Sequence, residues 1–277
     1  MHALRMRAGG KLLVIKQFIK KIFKSLGLGV TSHSHLLHLE KRLSEVTIEN
    51  RELRDQEFLI AMGSENAHQI STLLQRSKSQ LRQDLFVLTQ HGYKKQGFFV
   101  EFGATNGIDL SNSYLLAKDF GWRGILAEPA KVWLDQLRLN RPESHIESLC
   151  VWKESGSTFD FIEADASELS TLQIFSDKDV HRDLRKKGKT YKVSTISLID
   201  LLDKYDAPKY IEYLSIDTEG SELEILTAFD FSAYIFGVIT VEHNHTPQRE
   251  LIHSLLTSKG YRRKYPEISS VDDWYVR

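Results

Sequence analysis

The sequence predicts an α/β fold: an open, mostly parallel sheet with helices on both faces, preceded by a long, coiled-coil-like N-terminal helix. Three observations carry this. A strand, a glycine-bearing turn, a helix and a second strand succeed one another from Gly97 to Pro129. Apolar strand runs and helical runs then keep alternating, and several strands close on a carboxylate. Ahead of them, apolar residues recur every seven positions from Leu39 to Leu88 without an intervening proline.

With 277 residues the chain has room for one catalytic domain and an extension. The formal net charge is zero but unevenly spread: residues 1–39 hold no acid, against Arg5, Arg7, Lys11, Lys16, Lys20, Lys21 and Lys24. Within residues 1–30, Leu12, Ile15, Ile19, Ile22, Phe23 and Leu26 recur at helical spacing with lysines largely opposite. Basic amphipathic helices of this type lie in the headgroup layer of anionic membranes. Residues 1–26 are therefore expected to attach to an anionic membrane surface. A helix docked on the protein itself, or a free tail, is the alternative. The apolar run Leu12 to Ile15 is far short of the roughly 20 residues that span a bilayer, and too short for a cleavable signal. Cys150 is alone, so no internal disulfide is expected. The expected location is cytoplasmic, peripheral at the inner face of the membrane.

Residues 31–91 are expected to form one long helix. The seam Leu39, Val46, Leu53, Ile60, Ala67, Leu74, Leu81 and Leu88 argues for a coiled coil and a homo-oligomer assembled through residues 36–90. Its companion seam turns polar at Asn50, Glu57, Ser64, Ser71 and Lys78, and Gly63 is a point of interruption. The alternative is a helix folded back on the catalytic domain. His33, His35 and His38 have no carboxylate or thiol beside them and read as solvated linker residues.

Residues 92–277 form the α/β domain. Phe98, Phe99, Val100 and Phe102 suit a strand buried on both faces. Gly103 and Gly107 permit a sharp turn and close approach to a ligand. Tyr114 to Ala117 open the crossover helix, and Ile125 to Ala127 form the next strand. A dinucleotide fingerprint wants three glycines around a pyrophosphate. This turn has two, and Glu101 beside it would repel phosphate and attract a cation. Glu128, one strand further on, is placed to accept hydrogen bonds from ribose hydroxyls. A cationic nucleoside without phosphates, S-adenosylmethionine, fits better than NAD. Ile146 to Trp152 reads as a third strand, whose end at Leu149 and Cys150 lies where a nucleoside base is held. The basic cluster Arg182, Arg185, Lys186, Lys187 and Lys189 reads as a solvated loop, with contact to an anionic acceptor as the alternative. Ser197 is placed to cap the helix that follows it.

A second acidic cluster spans Ile211 to Glu222, with Asp217, Glu219 and Glu222 leaving a strand together. Phe236 to Val241 is a strand ending in Glu242, His243, Asn244 and His245. If these strands are parallel, both clusters reach the same rim as Glu101 and Glu128. Buried carboxylates brought together need cations or donors facing them.

The set Phe99-Val-Glu-Phe-Gly-Ala-Thr-Asn-Gly107, Ser111-Asn-Ser113, Gly124-Ile-Leu-Ala-Glu-Pro129, Leu214-Ser-Ile-Asp-Thr-Glu-Gly220 with Glu222, and Val241-Glu-His-Asn244 resembles the FkbM-type methyltransferases. Gly260-Tyr261 and Asp272-Asp-Trp-Tyr275 are similar to that family's C-terminal hairpin, so the resemblance covers about residues 96–277. It implies a Rossmann-like class I methyltransferase sheet, S-adenosylmethionine, and O-methylation of a sugar or glycan hydroxyl. It also implies that Glu101, Gly103, Ala104, Asn106 and Gly107 line the cofactor and that Glu128 holds its ribose. Asn112 and Ser113 would close over the methionine part, and Asp217 would reach the same ligand.

Methyl transfer requires an acceptor oxygen aligned behind the methyl and a way to remove its proton. His243 is the expected base, with Asp217 and Glu242 beside it. The alternative resembles the catechol-type O-methyltransferases: Asp217, Glu242 and Asn244 would hold Mg²⁺ or another divalent cation that acidifies the acceptor. A non-catalytic cofactor- or glycan-binding module carried on the coiled coil is a reading of a different class. Nucleic acid is not an expected partner, since the catalytic part is acidic and no aromatic-basic platform is apparent.

Overall fold

The computed structural model describes residue 42 and residues 50–164, 170–175 and 188–277. They fall into two units, Met1–Glu57 and Phe58–Arg277. In the first, residues 50–57 are helical. The expected basic helix of residues 1–30, the linker histidines, the seam residues Leu39 and Val46, and Arg182, Arg185, Lys186 and Lys187 lie outside the described residues.

The second unit opens with helical residues up to 62, a break at Gly63, then α1 (Ser64–Leu73) and, after a turn, α2 (Gln83–Gln90). There follow β1 (Phe98–Phe102), α3 (Tyr114–Phe120), β2 (Arg123–Ala127), α4 (Lys131–Asn140), β3 (His145–Glu147) and β4 (Cys150–Trp152). Next come β5 (Thr158–Glu163), β6 (Thr171–Leu172), a 3₁₀ turn (Gln173–Phe175), β7 (Lys189–Ser197) and α5 (Leu198–Lys204). The chain ends through β8 (Tyr210–Ile216), α6 (Glu222–Ala228), β9 (Ile235–Glu242), α7 (Gln248–Ser258), β10 (Arg262–Lys264) and β11 (Asp272–Val276). Ser197 caps α5 as expected, accepting from the Asp200 amide at 3.1 Å.

The main sheet runs β10-β11-β9-β8-β1-β2-β3. Its five central strands are parallel, and β11 and β10 add an antiparallel edge. Successive side chains leave a strand on opposite faces. Val100, Ile125, Leu214 and Ile239 enter one buried cluster, whereas Phe99, Leu126, Tyr213 and Val238 enter the other. Both faces being covered, the strands read as unbroken apolar runs. Strand order reverses between β1 and β8, and the crevice outside the carboxyl ends at such a point is where ligands bind in open α/β sheets.

Two expectations change. Ile146 to Trp152 is not one strand. It divides into β3, the edge of the main sheet, and β4, which pairs with β7 in a second sheet of order β4-β7-β5-β6. The predicted helix over residues 31–91 also fails as a continuous element beyond Gly63, because α1 ends at Leu73 and Leu74 to Arg82 turn the chain. From Phe58 onward this segment belongs to the α/β unit, so the boundary placed at residue 92 moves back to Phe58. The reason is apolar burial. Phe58, Met62, Ile70, Leu85 and Phe86 cover one face of the sheet together with Trp274. Phe86 stacks on Trp274 at 4.8 Å, and Phe58 meets it edge-on at 6.2 Å. Burying each such side chain stabilises by about 1.5–3 kcal/mol. Leu81 and Leu88 of the heptad seam are spent in this core, while Ile60 of the same seam is 80% exposed.

Candidate active site

A cavity of about 440 Å³ lies at the carboxyl ends of the parallel strands. Glu101 from β1, Glu128 after β2, Asp217 after β8 and Glu242 from β9 all reach its wall. Gly103, Asn112, Cys150 and Asn244 complete the expected residues found there. Of the rest, Ala104 is wholly buried in the core behind the turn. Asn106 shapes the turn instead: its Oδ1 accepts from the Ile108 and Asp109 amides at 2.9 Å each.

The two glycines have structural causes. A Cβ on Gly103 would lie 2.2 Å from the Asp217 carbonyl oxygen, so this glycine lets the β1 and β8 turns touch. A Cβ on Gly107 would lie 2.6 Å from Cγ of Arg141 and 2.7 Å from Leu137. Gly107, expected at the ligand, therefore makes room for an arginine stem. Ser113 also sits off the cavity wall, where its hydroxyl donates to Glu101 and accepts from Arg141 at 3.0 Å.

Glu101 does not offer a bare carboxylate. The Asn112 amide donates to it at 2.7 Å, the Ser111 hydroxyl at 3.1 Å, and the Ser113 hydroxyl closes the set. Glu128 accepts from the Thr105 and Ala130 amides at 2.8 Å each, one bond per oxygen. Burial nonetheless pushes it up to about 7. Burial likewise raises Asp217 to about 6 and Asp272 to about 7. Glu242 stands well above its ordinary value through burial and then the charge of Asp217. Two buried carboxyls side by side cannot both ionise cheaply, which holds Glu242 towards its protonated form. The Cys150 thiol is pushed up to about 12 by burial and stays neutral.

His243 is not placed as the base. It follows Glu242, so its side chain leaves the strand end on the other side, and it is absent from the cavity wall. The ring is buried against Asp273, with Nε2 3.8 Å from the carboxylate. Nδ1 accepts from the His245 amide at 3.0 Å, and Nε2 has no hydrogen-bond partner among the described residues. Burial lowers its affinity for a proton. Asn244, expected beside Glu242 in a cation site, does reach the wall. The carboxylates of Asp217, Glu219 and Glu242 lie within 4.8 Å of one another. Their oxygen donors suit a hard divalent cation.

Sequence reasoning missed Gln83, Asp272 and Arg141. Gln83 Nε2 donates to Asp272 at 2.7 Å across the cavity wall, its Oε1 being fixed by the Leu81 amide at 2.9 Å. Neither Gln83 nor Asp272 follows the end of a parallel strand. Asp272 begins a strand, and because β11 is antiparallel to β9, its first residue arrives at the same rim opposite Glu242.

The fold and this cavity define a Rossmann-like α/β protein with a ligand crevice walled by acids. Within that class the chain belongs to the FkbM methyltransferase family: the methyltransferase FkbM domain matches residues 101–263, more than half of the sequence. Among solved structures, the methyltransferase FkbM from Methylobacillus flagellatus KT is 16% identical over 78% of this chain and 61% of its own, with a TM-score of 0.41. The METTL16 MTase domain is 12% identical over 71% of this chain and 66% of its own, with a TM-score of 0.41. Precorrin-6y C5,15-methyltransferase from Geobacter metallireducens GS-15 is 13% identical over 65% and 71%, with a TM-score of 0.34. The chain thus spans less than two thirds of either of the first two. No curated protein matches the sequence.

Proposed function

We propose that the protein is an S-adenosylmethionine-dependent O-methyltransferase acting on a hydroxyl of a sugar or glycan, in polysaccharide or lipid-linked glycan synthesis. The observation that carries this is the convergence of Glu101, Glu128, Asp217 and Glu242 on one cavity in a chain of the FkbM methyltransferase family. A phosphate-free, positively charged nucleoside suits that wall, and a dinucleotide does not. Glu128, with lone pairs left after its two amide donors, takes the ribose hydroxyls. Glu101 anchors Asn112 on the wall at the methionine end. Holding acceptor and methyl in line supplies about 7–11 kcal/mol of the barrier. The acceptor proton passes to the Asp217–Glu242 pair, which faces the cavity where His243 does not.

A second reading is favoured by the closeness of three carboxylates. Asp217, Glu219 and Glu242, with Asn244 at the wall, would hold a divalent cation that lowers the acceptor's pKa. The test of the main reading is calorimetry with S-adenosylmethionine and S-adenosylhomocysteine, followed by transfer of labelled methyl to a glycan pool. Heat with both nucleosides and a base-stable labelled product are expected. Binding of NAD in their place would overturn the reading. Exhaustive chelation separates the two versions, since only the cation version loses activity.

A further inference from the structure

We propose that Arg141, buried beneath the cofactor turn, is the positioning residue that sets the Glu101 carboxylate and the 107–113 loop for the nucleoside, an inference that rests on the cofactor reading above. Arg141 follows α4 and is wholly buried. Its Nε donates to Glu143 at 2.8 Å, outside the site. Nη1 donates to the Gly107 carbonyl at 3.2 Å and the Ser111 hydroxyl at 3.3 Å, and Nη2 donates to the Ser113 hydroxyl at 3.0 Å. The guanidinium also lies 5.3 Å from the Phe99 ring and 5.9 Å from that of Tyr114.

A guanidinium can only donate, so each serine oxygen receives from it and must turn its own proton elsewhere. Both hydroxyl protons go to the same oxygen of Glu101. The result is a relay of fixed polarity, arginine to hydroxyl to carboxylate, in which two serines separate the ions. It orients Glu101, which reaches the cavity, without Arg141 itself touching the wall. Burying an arginine costs several kcal/mol unless its donors are filled. Here four of the five are met, by the Gly107 carbonyl, by two loop hydroxyls and by Glu143. Gly107 is glycine because the Arg141 stem crosses it, so the turn and the arginine are built for one another.

The test is calorimetric affinity for S-adenosylhomocysteine in the full chain. Arg141→Met is expected to weaken binding at least tenfold. Arg141→Lys rescues little, because an ammonium is a point donor and cannot span both hydroxyls and the Gly107 carbonyl. Ser111→Ala with Ser113→Ala, which removes the relay and leaves the arginine, is expected to weaken binding to a similar extent. Adding both serine changes to Arg141→Met should cost no more than about threefold further, the non-additivity expected of one network. Independent, multiplying losses would indicate a merely structural arginine and overturn the proposal. If Arg141→Met does not fold, the double serine variant decides alone, and wild-type affinity in it overturns the proposal. Wild-type protein that binds neither nucleoside removes the cofactor reading itself, which is distinguishable from a binding wild type with unaffected variants.

Discussion

Glu128 has four lone-pair directions on its two oxygens, and two are taken by the Thr105 and Ala130 amides. The other two are available to a pair of vicinal hydroxyls. Hydrogen bonds to a charged acceptor contribute about 1.5–3 kcal/mol each. Glu128→Ala is therefore expected to weaken S-adenosylhomocysteine binding about a hundredfold, and Glu128→Gln, which keeps one acceptor, by less. Titration calorimetry reads both, and unchanged affinity in Glu128→Ala would remove the ribose role. The same carboxyl gives a pH signature. Its folded pKa, about 7, lies above the unfolded range, as does that of Asp272. Between the two values the folded state holds more protons than the unfolded one, so stability falls as pH rises. His91 and His243, lowered by burial, act in the opposite sense, but only below about 6.5. The melting temperature of ligand-free protein should thus drop from pH 6.5 to about 7.5 and level off above it, and the slope should flatten in Glu128→Gln. A flat wild-type profile would contradict the burial of these acids. At this scale the strand-end acids were legible, because a carboxylate closing an apolar run has few structural reasons to be there. His243 misled because adjacent residues at a strand end look equivalent in a sequence and point opposite ways in a sheet. Arg141 was illegible, since an arginine between Asn140 and Pro142 reads as a helix end and its partners lie some thirty positions away.

At the scale of elements, the decisive surface is the face of the sheet that Trp274 occupies. This residue is fully buried on β11 and receives Phe86 from α2 and Phe58 from the preceding helical stretch. Three segments far apart in the chain meet on one indole. Trp274→Ala is expected to cost about 3–5 kcal/mol, read as a shift in the urea midpoint. Phe86→Ala should cost a similar amount, and the pair should be less than additive because they share a contact. Full additivity would mean that α2 does not pack there. The same face explains why the heptad reading fails from Phe58 onward. Heptad counting tracks Leu53, Ile60, Ala67 and Leu74, but the residues that reach the core are Phe58, Met62, Ile70 and Leu73, which follow a different stripe. Three helical stretches, parted at Gly63 and at residues 74–82, keep an apparent seven-residue period without forming one helix. By contrast β1, β2, β8 and β9 were read correctly, since a strand buried on both faces announces itself by apolar content alone.

At the scale of the molecule, the chain separates its charges. No described helix is long and apolar enough to cross a membrane. We propose that residues 1–26 attach the chain to a membrane surface and that self-association falls to the seam ahead of Phe58, where Leu53 is 57% exposed. The seven basic residues of the first 39, with no acid among them, favour an anionic surface, each worth about 1 kcal/mol near the headgroups. Because the whole chain has zero formal charge, such binding would depend on the segregation and not on the total. Full-length protein is expected to pellet with phosphatidylserine vesicles at low salt and to be released as salt shortens the Debye length. A chain lacking residues 1–30 should stay in the supernatant while keeping its affinity for S-adenosylhomocysteine. If both forms pellet equally, the acidic α/β unit or residues 31–57 are responsible, and the basic segment has another use.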